Sequence, residues 1–171
     1  VLIQDLLEYS RVDRQAPNFV TVDINEIIDE VTANLQARIQ ATGAKIIKSK
    51  LPKIVADRSQ IGQLFQNLVD NAIKFRNRKK TPLVEIDFEE NETHWIFSVK
   101  DNGIGIEQEF YEKIFELFQG LHTGKRYGGT GVGLTICKRI TETHGGKISL
   151  ESKPGKGTTF WFSIRKDIDK R

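Results

Sequence analysis

Two predicted β-hairpins limit this chain to a sheet built mainly of antiparallel strands. Residues 83–89 and 94–100 flank the polar turn Glu90-Asn91-Glu92-Thr93, and Val84, Ile86 and Phe88 alternate with polar neighbours, as a strand buried on one face requires. Residues 147–152 and 158–164 flank Lys153-Pro154-Gly155-Lys156-Gly157, a turn-forming string. Helical periodicities alternate with these hairpins. The combination predicts an α+β fold, a two-layer α/β sandwich whose mixed, mainly antiparallel sheet carries helices on one face. It argues against a doubly wound parallel sheet.

The helices follow from apolar spacing. Ile24, Ile27, Ile28, Val31, Leu35 and Ile39 form one stripe, opened by Asp23 with Glu26 three residues on and closed at Gly43. Ile61, Leu64, Phe65, Leu68, Val69 and Ala72 form a second, on a helix over 57–75 capped by Asp57. Residues 107–118 and 130–144 also read as helical. Short strands are expected at 19–22, 45–51 and 53–56. Residues 1–12 read as the end of a helix with a narrow stripe of Leu2, Ile3, Leu6 and Leu7 suited to helix pairing, and 13–18 as a linker.

Composition sets the class. With 171 residues, 38% hydrophobic and 29% charged, the chain is one ordinary globular domain. The net charge of +3 is spread between acids and bases, and the one tight basic run, Arg76-Asn77-Arg78-Lys79-Lys80, reads as a solvated loop, so no nucleic-acid partner is expected. A lone cysteine, Cys137, excludes an intrachain disulfide and reads as core filler. No apolar run is long enough to span a membrane. The start at Val1 and the lack of methionine suggest a longer parent polypeptide.

Three clusters carry chemistry. At about 100° per residue, Asn67, Asn71 and Lys74 project within roughly 60° of one another, beside the apolar stripe. Asparagine supplies a carbonyl oxygen that a hard cation such as Mg²⁺ accepts, and lysine meets phosphate as a point charge; solvated surface residues would look the same. Asp101-Asn102-Gly103-Ile104-Gly105 follows a strand. Its aspartate could accept from an exocyclic amine, and its glycines admit close approach, though the string is also a common turn. Gly128-Gly129-Thr130-Gly131-Val132-Gly133-Leu134 opens a helix, where free N–H groups and the helix dipole favour phosphate. It is no Walker A loop: Gly120-Leu121-His122-Thr123-Gly124-Lys125-Arg126 is one residue short and ends in arginine.

Together the clusters resemble the histidine-kinase branch of the GHKL ATPase superfamily. Residues 67–75 resemble its N box, Asp101-x-Gly103-x-Gly105 its G1 box, Ile114-Phe115-Glu116-Leu117-Phe118 its F box, and 129–134 its G2 box. His144-Gly145-Gly146 and 154–160 resemble its closing segment, so the resemblance covers about residues 19–165. Residues 117–122 further resemble phytochrome-like and PAS-linked kinases. The resemblance implies a Bergerat fold binding ATP and Mg²⁺. By position, Asn71 would hold the metal, while Asn67 and Lys74 would serve the nucleotide and its phosphates. Asp101 would read the adenine amine with Gly103 and Gly105 beside it. Gly129, Thr130, Gly131, Gly133 and Leu134 would line the phosphates, and Phe115 and Phe118 would anchor the lid. Related kinases often carry an arginine where Gly120 stands; Lys125 or Arg126 would substitute.

Residues 1–12 resemble the end of a dimerisation helix, 19–166 the catalytic domain, and 167–171 a tail. None of His94, His122 and His144 has the sequence context of a phosphoacceptor. The implied activity is therefore transfer of the ATP γ-phosphate to a histidine on a dimerisation domain outside this chain, and onward relay to a response-regulator aspartate. The parent is expected to be a homodimer, with this domain cytoplasmic whether or not the parent is membrane-anchored. Hydrolytic relatives (gyrase, heat-shock chaperones, mismatch-repair ATPases) place glutamate where Asn67 stands; an amide cannot act as that base. The alternative is a non-catalytic nucleotide-binding or partner-docking module of the same fold.

Overall fold

A computed structural model describes residues 2–116 and 132–168. Its elements run α1 (Leu2–Arg14), β1 (Phe19–Asp23), α2 (Ile24–Asn34), α3 (Gln36–Thr42), β2 (Lys45–Lys48), β3 (Lys53–Asp57), α4 (Arg58–Lys74), β4 (Leu83–Glu90), β5 (His94–Asp101), α5 (Gly133–Thr143), β6 (Ile148–Lys153) and β7 (Gly157–Arg165). Five strands form one sheet in the order β2-β4-β5-β7-β6, and β1 pairs with β3 in a separate ribbon. Among the described residues, only β2 against β4 is parallel; the other pairs are antiparallel. Both expected hairpins are present, and the α+β sandwich is the observed architecture.

Strand alternation puts Val84, Ile86, Phe97, Val99, Phe160 and Phe162 on the buried face. Against it lies the apolar stripe of α4: Ile61, Leu64, Phe65, Leu68 and Val69 are all buried. Phe65 stands edge-on to Phe97 and Phe162 at 5.7 and 5.1 Å, with Phe97 and Phe162 stacked at 5.3 Å. Truncating such a side chain to alanine typically costs about 3–5 kcal/mol. Asp57 caps α4 by accepting from Gln60 N–H at 3.0 Å, and Asp23 caps α2 by accepting from Asn25 N–H at 2.9 Å. Cys137 fills the core as expected, and burial pushes its thiol up to about 12, so it stays neutral. His144 is structural as well. It accepts the Asp57 N–H at Nε2 (3.1 Å), lies 2.8 Å from the Ile140 carbonyl through Nδ1, and stands edge-on to Phe19.

Four expectations need correction. The single helix over 24–42 is two, broken at Leu35 (φ −97°, ψ 10°). Thr32 donates its hydroxyl to the Ile28 carbonyl one turn back, a bond that bends helices. The strand expected over 45–51 stops at Lys48. The helix expected to open at residue 130 is described from Gly133. The helix expected over 107–118 is not one α-helix in its described part, 107–116, which contains two 3₁₀ turns, Gln108–Phe110 and Lys113–Phe115. Their side chains serve different neighbours, so no common face forms. Tyr111 bonds β6, Ile114 is buried, and the Phe115 carbonyl accepts from Thr135 of α5. Among the described residues, no helix is long and apolar enough to cross a membrane.

Candidate functional site

The site forms where the end of β5 meets the C-terminal half of α4 and the start of α5. Asp101 is the last residue of β5, and its Oδ1 accepts from Gly103 N–H at 2.9 Å and Thr158 N–H at 3.1 Å. Burial raises its carboxyl to about 6, against the opposing pull of those two N–H groups. Both bonds fall on Oδ1, so Oδ2 takes neither.

Backbones approach closely here. A Cβ on Gly103 would lie 2.5 Å from the Phe75 carbonyl oxygen. Gly105 has φ +75°, and a Cβ there would sit 2.2 Å from the Lys153 carbonyl oxygen. Gly157 has φ +114°, with the Asp101 carbonyl oxygen 2.0 Å from where a Cβ would stand. Larger residues would force the turn away from the carboxylate. Asn102 adds a lock by accepting from Leu83 N–H and donating to the Thr81 carbonyl.

A small cavity opens on Asp101, lined by Asn71, Phe75, Ile104, Gly105, Ile106, Leu134, Thr158 and Phe160. Apolar walls with a few convergent polar groups suit a flat heteroaromatic ligand. At about 30 Å³, it has room for roughly one water. A cleft of about 790 Å³ lies elsewhere, between α1, α2 and α4. Among the expected site residues it contains only Asn67.

The structure thus brings Asn71, Asp101, Gly105 and Leu134 to one cavity, with Gly103 bonded to Asp101. Asn67 donates through Nδ2 to the Gly133 carbonyl at 3.3 Å and so ties α4 to the start of α5. Lys74 is half-buried at the end of α4 and does not line the cavity. Phe118, His122, Lys125, Arg126, Gly129, Thr130 and Gly131 lie outside the described residues. Sequence reasoning missed Thr158, Phe75, Ile104, Ile106 and Phe160 as lining residues. The Thr158-Thr159 pair before an aromatic strand was the one available hint.

A family model for histidine kinase-, DNA gyrase B- and HSP90-like ATPases matches residues 56–168. The chain belongs to this family. Among its relatives, phytochrome-like protein Cph1 of Synechocystis sp. is 48% identical over 163 residues, covering 95% of this chain and 22% of Cph1. The chain therefore spans about a fifth of that relative's length. Two solved structures align well, one of them from the histidine kinase ThkA. The catalytic domain of ThkA matches with TM-score 0.76 and 34% identity, covering 90% of this chain and 99% of that domain. Full-length ShkA, solved in complex with AMPPNP, matches with TM-score 0.80 and 29% identity over 95% of this chain and 35% of ShkA.

Proposed function

We propose that residues 19–166 are the catalytic domain of a sensor histidine kinase, binding ATP at Asp101 and presenting its γ-phosphate to a histidine outside this chain. The observation that carries this reading is the meeting of Asp101, Asn71 and Leu134 at one cavity beside the start of α5. Asp101 Oδ2 accepts a hydrogen from the exocyclic amine, while Ile104, Ile106 and Phe160 enclose the ring. The phosphates then run along α4 toward α5, whose first turn offers free N–H groups. Asn71 is a half-buried amide whose carbonyl oxygen suits a hard cation; it would hold Mg²⁺, which neutralises phosphate charge when bound. The imidazole nitrogen of the acceptor attacks the γ-phosphorus, the bond to the β–γ bridging oxygen breaks, and ADP leaves. Where hydrolytic relatives carry a glutamate, Asn67 is an amide tied to Gly133 and cannot act as the base that activates water. This favours transfer over hydrolysis.

The acceptor domain, joined through α1, makes the parent a homodimer, and the next acceptor is a receiver-domain aspartate. A further ThkA structure, in complex with the response regulator TrrA, covers 99% of this chain at TM-score 0.77 and 30% identity and supports that direction of relay. The domain is assigned to the cytoplasm, where ATP and receiver domains are found. Calorimetric titration of AMPPNP with and without Mg²⁺ tests the reading. Micromolar to sub-millimolar binding that strengthens with Mg²⁺ is expected; absence of binding would leave a docking module.

A further inference from the structure

Ser152, on the edge strand β6, is the hub of the hydrogen bonds around the Asp101 cavity. Its backbone N–H donates to the Tyr111 hydroxyl at 2.8 Å, and its carbonyl accepts from the same hydroxyl at 2.5 Å. One phenol thereby satisfies both groups that the strand turns outward. The Ser152 side chain is fixed as tightly: its Oγ accepts from Ile106 N–H at 2.7 Å and lies 2.9 Å from the Gly157 carbonyl oxygen and 2.7 Å from Thr158 Oγ1.

A serine hydroxyl has one proton and two acceptor positions. The Gly157 carbonyl can only accept, so the Ser152 proton goes there. The short contact to Thr158 is then satisfied only if Thr158 donates to Ser152. With Ile106 N–H in the second acceptor position, every position on Ser152 is filled. Thr158 lines the cavity. With its proton turned toward Ser152, it offers the cavity lone pairs only. Of the other two polar side chains in the lining, the Asp101 carboxylate also accepts, and Asn71 is the amide proposed above to hold Mg²⁺.

We propose that Ser152 is a positioning residue for nucleobase selection: it orients the Thr158 hydroxyl so that the cavity presents acceptors to a 6-aminopurine and repels a 6-oxopurine. Tyr111 holds Ser152 in place for this role. The inference rests on the nucleotide-binding reading above but goes beyond it, because neither Ser152 nor Tyr111 lines the cavity itself. A 6-amino group donates toward such a wall, whereas a 6-oxo group meets lone pair against lone pair.

The test is calorimetric binding of ADP and IDP, which differ at the purine, to the 171-residue chain and to S152A, S152T and S152C. Wild type should prefer ADP. S152A frees the Thr158 proton to turn into the cavity, so the ADP-to-IDP preference should fall on the order of tenfold, the scale of one hydrogen bond. S152T keeps the hydroxyl and should keep the preference. Should S152A fail to fold, the thiol of S152C, a poor hydrogen-bonding group of similar size, gives the same readout. A merely structural role would weaken both nucleotides together. An unchanged preference in S152A or S152C, with ADP still bound, overturns the proposal alone; no ADP binding by wild type overturns the nucleotide reading with it.

Discussion

Burial lifts the Asp101 carboxyl to about 6 because lost hydration outweighs the two N–H groups on Oδ1. Its ordinary value is 3.8, so between about pH 4 and 6 the folded chain binds more protons there than the unfolded chain. Stability without nucleotide therefore falls as pH rises through that window. His144 works the other way: burial lowers its pKa, so the unfolded chain takes up the proton first and stability is lost as pH falls below about 6.5. Comparing D101N with wild type isolates the first effect. The substitution keeps an acceptor for Gly103 and Thr158 but removes the buried charge. It should stabilise the nucleotide-free chain at pH 7.5 by about 1–3 kcal/mol, read by thermal melting. It should also weaken ADP binding at least tenfold. In wild type, ADP affinity should drop roughly tenfold from pH 7.5 to pH 5 as Asp101 protonates. D101N should lose only the part due to the phosphates. A D101N chain less stable than wild type at pH 7.5 would mean that the carboxylate holds the turn together.

At the scale of elements, the junction of α4 and α5 separates folding from binding. A Cβ on Gly133 would meet nothing nearer than Asn67 Cγ at 3.9 Å, an ordinary contact, and alanine suits a helix better than glycine by up to about 1 kcal/mol. G133A should leave the melting temperature unchanged or slightly raised while weakening Mg²⁺-nucleotide binding severalfold. A loss of stability would show that this glycine is needed by the fold. How far such elements could be read from sequence depended on how local their causes are. The stripe and Asp57 cap of α4 lie within one helix, and both were legible. So were Asp101 and its glycines, because the turn is continuous in sequence. The second partner of Asp101, Thr158, lies 57 residues away, and no local pattern joins them. Phe110, Ile114 and Phe115 have helical spacing, yet that segment is divided among β6, the core and α5, and Phe115 meets Phe160 of β7 edge-on at 6.4 Å. Periodicity reports a face only when a single partner covers it.

At the scale of the whole molecule, α1 is part of this fold and also exposes a surface that the fold does not use. Val12 is buried, Tyr9 packs on the core, and Asp13 forms an ion pair with Arg139 of α5. Ile3, Leu6 and Leu7 remain 74%, 38% and 54% exposed. Three side chains fall well short of the ~800 Å² per partner that a stable interface buries. The 171-residue chain should therefore sediment as a monomer at micromolar concentration. Extending it toward the N-terminus, so that α1 continues with the same stripe, should produce a concentration-dependent dimer. The triple variant I3A/L6A/L7A should change the stability of the 171-residue chain by no more than about 0.5 kcal/mol per site, since these side chains are exposed in it. The same substitutions in the extended chain should abolish the dimer. A dimer of the present chain that survives them would place self-association on another face and leave the exposed stripe without the pairing role proposed for α1.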